Sequence, residues 1–309
     1  MKKYFFISDT HSFYTAMVDA LCKAGFEMNN PEHCLIVCGD IFDRGEETRK
    51  VYDFLLSIPK KRRIMIKGNH EYLYLNLLKK EKPDYYDFSN GTVKTFCHIA
   101  GADYAEIKEG YHYISGTFYD SEWYAKDFEK KWGTVKKLVE NSEITKWLKS
   151  REWKHFFELG DYIAVHSWVP TMDVPVDEIT ESDRLYFYAT GIWKQKLMDN
   201  WKEKAKPRDW ESATWGCPWR QARDNQNPEG KIIICGHWHA SDFHVNLGFE
   251  PDGEDNYNIY FGKNVIALDA CTARTGFCNV LVIDEEFNCF DQFGNKLEVK
   301  ESEMEDLWK

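Results

Sequence analysis

The chain has 309 residues, 43% of them hydrophobic and 29% charged, close to globular averages and far from disordered or collagen-like composition. Forty basic against fifty-one acidic side chains give a net charge of −11, the wrong sign for holding nucleic acid by its phosphates. The apolar run that starts at Tyr4 stops at Ser8, too short for a secretory segment, and no later window matches the unbroken apolar length of a membrane span.

In chain order, residues 4–8 read as a short strand. Residues 12–24 carry Met17, Leu21 and Ala24 at helical spacing, with Ser12 placed to cap. Residues 35–38 form a second strand, 51–56 a second helix and 64–66 a third strand, and 73–78 open a third helix. Strand alternating with helix predicts parallel strands joined by crossover helices. Cys34 and Cys38 fall on one face of the second strand, a spacing open to a zinc pair but better suited to buried thiols. Nine cysteines, an odd number with no C-x-x-C pair, argue against a disulfide framework and point to the cytoplasm.

From 81 to 160 the strand signals thin out. Trp123, Trp132, Trp147 and Trp153 stand there among alternating Lys and Glu, a pattern of half-buried helices whose rings join the core. Strands return at 162–165, 231–235, 265–268 and 280–283. The simplest organisation is one α/β domain over 1–309 with helical insertions at about 81–160 and 170–229, since no Pro/Gly/Ser-rich boundary marks a second domain. Residues 242–309 hold fifteen acidic and five basic side chains, a solvated face interrupted by strand-like runs.

Five polar clusters stand at the C-terminal ends of predicted strands, where open α/β sheets build their sites. They are Asp9-Thr10-His11, the run from Gly39 through Asp40, Asp43 and Arg44 to Gly45, Gly68-Asn69-His70-Glu71, His166, and Gly236-His237-Trp238-His239. Taken singly, each has a bland reading: a hydrogen-bonded structural histidine, an aspartate capping the next helix, a glycine in a tight turn. What those readings leave unexplained is that five of the ten histidines sit at strand mouths beside Asp, Asn or Gly. Carboxylate and imidazole together suit Mn, Fe or Zn. Two-metal phosphoester hydrolysis needs this inventory: a bridging carboxylate, further ligands from separate loops, an acid for the leaving oxygen, and a guanidinium fork for the phosphate.

In this order, Asp-x-His, Gly-Asp-x-x-Asp-Arg-Gly, Gly-Asn-His-Glu, a later strand-end His and Gly-His-x-His resemble the signature of the calcineurin-like metallophosphoesterases. Their full forms are similar to the phosphoprotein phosphatase branch, which includes serine/threonine phosphatases and symmetrical diadenosine tetraphosphatases. The match covers residues 7–71, 162–170 and 231–284. The resemblance implies a four-layer αββα sandwich with two divalent metal ions at the strand ends and a phosphorylated substrate attacked by a metal-bridged hydroxide. Asp9 and His11 would bind the first metal, Asp40 would bridge, and Asn69, His166 and His237 would bind the second. His239 would complete the first. His70 would be the general acid, oriented by Asp43, and Arg44 would hold the phosphate. Glu71 reads as a structural partner.

The chain departs from the branch at His239, where the branch has Thr and the wider superfamily His, and at Ser167, where the branch has Gly or Ala. A second phosphate-gripping arginine would be Arg220, with Arg223 in reserve; either is equally readable as a surface charge. Trp168, Trp215, Trp219 and Trp238 lie near motif residues, as cleft walls able to stack on a ring or as core; Trp238, between two implied ligands, would screen the metals. A serine/threonine phosphatase-like phosphomonoesterase is the leading expectation. A dinucleoside polyphosphate or nucleotide hydrolase of the same fold, and a non-catalytic binding module, are the alternatives.

Overall fold

The computed structural model describes residues 1–115, 122–181, 184 and 195–298. Strands β1 (Lys3–Ile7), β2 (His33–Cys38) and β3 (Arg63–Ile66) run parallel, with Phe6 opposite Ile36 and Ile36 opposite Ile64. Their crossovers are α1 (Tyr14–Lys23) and α2 (Thr48–Ser57), as the strand–helix alternation predicts. Every position of β2 is buried, which suits the unbroken apolar run of a central parallel strand. Helix α2 buries Thr48, Val51, Tyr52 and Leu55, the i, i+3, i+4, i+7 stripe of a helix lying on a sheet.

Ser12 does not cap its helix. Its backbone is left-handed (φ 62°), and its hydroxyl pairs with Thr48 Oγ1 at 3.0 Å, tying the entrances of α1 and α2 together.

The first sheet is completed by β4 (Trp153–Lys154) beside β3, and by β12 (Leu281–Asp284) and β13 (Cys289–Phe290) on the far side of β1. A second sheet has the order β10 (Tyr260–Phe261), β11 (Val265–Asp269), β9 (Ile232–His239), β6 (Tyr162–Ala164), β5 (Phe157–Leu159). Strands β6 and β11 flank β9 in parallel, so β3, β6, β9 and β11 all deliver their C-terminal ends to one edge with β1 and β2.

The sheets pack face to face through Phe6, Ile36, Ile66 and Ile283 of the first and Ala164, Ile234 and Leu268 of the second. Cys34 and Cys38 lie in this layer as free thiols, and burial pushes both up in pKa. On the outer face of the first sheet, Met17, Leu55, Phe96, Trp132 and Trp147 close over Phe5 and Val37. They come from α1, α2, α5 (Thr92–Ala100), α7 (Glu122–Glu140) and α8 (Glu143–Leu148), with α3 (Asn69–Leu77), α4 (Tyr85–Ser89) and α6 (Tyr104–Ser115) between them in the chain. Trp168, Trp201, Trp210 and Phe243 cover the outer face of the second sheet over Ile163 and Ile233. Each such side chain taken out of water contributes about 2 kcal/mol. The result is the expected helix–sheet–sheet–helix layering.

The stretches expected to be helical, 81–160 and 170–229, differ from that expectation in detail. Trp132 and Trp147 are core residues of helices, whereas Trp153 sits in the edge strand β4 and donates its Nε1–H to Trp147 O at 3.1 Å. The Trp123 side chain lies outside the described residues. Strands β4 and β5, and the antiparallel pair β7 (Thr171–Asp173) with β8 (Gln195–Leu197), stand where helix was expected. Two or three residues are too few for an alternating pattern to declare itself. Among the described residues no helix is long and apolar enough to cross a membrane.

Candidate metal centre

Six loops meet at the shared edge, locked together through the backbone. His11 N–H donates to Asp40 O at 3.0 Å, Gly45 N–H to His11 O at 2.8 Å, and Gly236 N–H to His166 O at 2.7 Å. Asp9, His11, Asp40, Asp43, Arg44 and His237 all have positive φ, a conformation that costs non-glycine residues energy and persists only where the surroundings fix it. A Cβ on Gly236 would collide with Asp9 Oδ2 and one on Gly68 with Asp40 Oδ1, so the two glycines let carboxylates press against backbone.

Asp40 is the hub. Its carboxylate belongs to two triads whose donor atoms lie within 4.8 Å of one another, one with His11 and His70 and one with His166 and His237. His11 Nδ1–H donates to Phe42 O at 2.9 Å, which turns the Nε2 lone pair inward, 3.9 Å from Asp9 Oδ1 and 4.0 Å from Asp40 Oδ2. His166 is held alike: Nδ1–H donates to Cys38 O at 2.8 Å, and Nε2 faces Asn69 Oδ1 at 2.7 Å and Asp40 Oδ1 at 3.4 Å. Backbone carbonyls thus select the tautomer that aims acceptors at the interior.

Electrostatics agree. Burial, and then the neighbouring Asp269 charge, raise Asp9 well above the carboxylate range; burial, then Asp9 and Glu71, do the same to Asp40. Burial lowers His11 and His166 well below the usual imidazole range and takes His237 down to about 3, with His70 and Arg44 adding to the last. Crowded carboxylates, neutral imidazoles and an amide oxygen converging lone pair to lone pair are the donor set of a divalent cation.

The remaining residues surround this core. His70 donates Nδ1–H to Asp43 Oδ2 at 2.7 Å, and its Nε2 stands 3.8 Å from Asp40 Oδ2. Glu71 accepts from the backbone N–H of Gly68 (2.7 Å), Asp40 (3.0 Å) and Ile41 (3.1 Å), the structural task expected of it. Arg44 is exposed at the mouth, and its charge acts on Asp9, His11, Asp40 and His237. His239 belongs to neither triad: its side chain is 40% exposed, its Nδ1 lies 3.9 Å from Asp242, and its strand partner is Asp269. Arg220 and Arg223 both lie over the Trp219 ring, at 5.2 and 5.5 Å, and Arg220 lines an adjoining cavity. Trp238 turns away from the centre, donating Nε1–H to Gly216 O at 3.1 Å and packing on the outer core, because it alternates with the histidines along β9. Trp168 is core. Trp215, half exposed, stands edge-on to His237 at 6.0 Å.

Three site residues escaped the sequence reading. Thr92 Oγ1 donates to Asp43 Oδ2 at 2.8 Å, and Thr95 Oγ1 donates to Asp43 Oδ1 at 2.6 Å while accepting Asp43 N–H at 3.0 Å. Both come from α5, with no local mark of their role. Asp269, buried at the end of β11, carried the same signal as its counterparts, an acid closing an apolar strand.

The calcineurin-like phosphoesterase family model matches residues 2–241. The chain belongs to that family. Members depend on divalent metals, in keeping with the donor set around Asp40. Among solved structures the chain is similar to a cold-active protein-tyrosine phosphatase of a psychrophile, Shewanella sp. (16% identity, TM-score 0.48, 97% of this chain and 81% of that one). It is also similar to a protein serine/threonine phosphatase from Saccharomyces cerevisiae (13%, TM-score 0.39, 97% and 81%) and a metallophosphoesterase from Sphaerobacter thermophilus (11%, TM-score 0.40, 96% and 89%). None of the curated proteins compared matches the chain.

Proposed function

We propose that this member of the family is a phosphomonoesterase of the serine/threonine phosphatase kind, working with two divalent cations. The observation that carries the reading is the sharing of Asp40 between two donor triads, one of which includes His70, itself hydrogen-bonded to Asp43. Asp9 and His11 would hold one ion and Asn69, His166 and His237 the other, with Asp40 offering an oxygen to each; His239 would join the first only if its exposed ring turned inward. When bound, such ions polarise a phosphoryl oxygen and acidify water.

The chain's own residues do the rest. Arg44 at the mouth orients the phosphate through its fork of N–H donors. His70, with Asp43 supporting its positive charge, gives a proton to the departing oxygen. Glu71 holds the Asp40 and Gly68 backbones so that neither carboxylate nor amide drifts. Arg220, with Arg223 in reserve, is the second candidate for gripping substrate.

Purified protein supplied with manganese should hydrolyse p-nitrophenyl phosphate, and Asp40→Asn and His70→Asn should each abolish turnover. Full activity in Asp40→Asn would end the shared-carboxylate assignment. A non-catalytic module would show no turnover with manganese, iron or zinc.

A further inference from the structure

The guanidinium of Arg44 makes no hydrogen bond or ion pair with any described residue, although its charge acts on Asp9, His11, Asp40 and His237. Its heading is therefore set where the side chain leaves the backbone. There Asp43 (φ 74°) and Arg44 (φ 59°) are consecutive left-handed residues, a conformation that persists only where the surroundings impose it.

The first turn of α5 is that surrounding. Besides the two threonines that hold the Asp43 carboxylate, the turn brings Gly91 and Lys94 to Arg44. A Cβ on Gly91 (φ 87°) would come within 2.5 Å of Arg44 N, so the bare glycine lets the helix entrance lie against the Arg44 amide. Lys94 Nζ–H donates to Arg44 O at 3.1 Å and to Glu46 Oε1 at 3.1 Å. The amide of Arg44 is thus covered from one side and its carbonyl is tied down from the other. A lysine in a first helical turn opposes the helix dipole, which favours acids there, and this turn carries no acid. Lys94 is poorly placed for its own helix and well placed for the loop.

We propose that Lys94 is the positioning residue for the phosphate-gripping arginine, fixing the Arg44 carbonyl in its left-handed turn and so keeping the guanidinium at the mouth of the candidate centre. The assignment rests on the phosphoesterase reading above and adds to it a residue that acts through Arg44 alone.

The test uses the full chain with manganese and the variants Lys94→Met, Lys94→Arg, Arg44→Ala and Lys94→Met/Arg44→Ala. Kinetics with p-nitrophenyl phosphate, titration calorimetry with inorganic phosphate and Tm are measured on each. Lys94→Met should raise KM and the phosphate Kd about tenfold each, with kcat within about twofold of the parent. Lys94→Arg, which keeps a cationic donor at the end of a long stem, should stay within about threefold of the parent in both. In the Arg44→Ala background Lys94→Met should change neither quantity further. Unaltered KM and phosphate Kd in Lys94→Met, with a lowered Tm, would reduce Lys94 to a structural residue and overturn the inference. So would a tenfold loss that recurs without Arg44, since Lys94 would then act on phosphate directly. Absence of p-nitrophenyl phosphate turnover in the parent protein would sink the phosphoesterase reading alone, because phosphate affinity still reads the coupling of Lys94 to Arg44. A parent protein that binds no inorganic phosphate would overturn both.

Discussion

Asp43 is gripped by three side chains: one oxygen faces His70 and Thr92, the other faces Thr95, and Thr95 also receives its backbone N–H. A carboxylate held from three sides cannot swing, so the imidazole it orients keeps one heading. Thr95→Val preserves shape and β-branching while deleting both contacts of the hydroxyl. We expect kcat to fall about ten- to a hundredfold with KM little changed, and Thr95→Ser to restore most of the loss. Steady-state kinetics with the circular dichroism spectrum as a fold control decides it; a fall in stability with unaltered kcat would make Thr95 merely structural.

At the scale of elements, the sequence spoke clearly wherever apolar strands ended in polar clusters. The β1, β2 and β3 assignments, the return at β6, β9 and β11, and Glu71 as a structural partner all rest on such local signals, and the strand-end histidines His11, His166 and His237 converge as that pattern requires. What stayed hidden was non-local. Thr92 and Thr95 look like any helical threonines until α5 is packed beside Asp43, and Ser12 looks like a cap until its left-handed backbone is seen. His155 belongs here too: unremarked in the sequence, it lies between β4 and β5 stacked on Trp210 at 4.8 Å. Burial lowers it to about 4, so folding favours its neutral form. The unfolded chain takes up the proton first, near the ordinary imidazole value of about 6.5, so its contribution is intact above that pH and is lost as pH falls towards about 4. Urea midpoints of His155→Phe should therefore decline less over this window than those of the parent; parallel slopes would refute the assignment.

For the molecule as a whole, the candidate centre is a source of instability that a bound cation relieves. Asp9, Asp40 and Asp269 are buried near one another, and burial holds all three pKa values up. Saturation with manganese at about a hundred times Kd should raise the unfolding free energy by about 2.7 kcal/mol, visible as a higher Tm. Asp40→Asn removes one of the mutually repelling charges and should stabilise the metal-free protein while erasing the gain on adding manganese. A calorimetric scan with and without chelator reads both effects, and a metal-induced rise that persists in Asp40→Asn would contradict the hub role.

The bond from His237 N–H to Asp9 Oδ2 joins residues 228 positions apart. A ribosome releases the amino-terminal half of this cage long before the rest, so a nascent chain holds Asp9, His11, Asp40 and Asn69 without the imidazoles that close around them. An ion would therefore meet the full donor set only once β9 has been made, and any truncation ahead of β9 leaves a half-built cup.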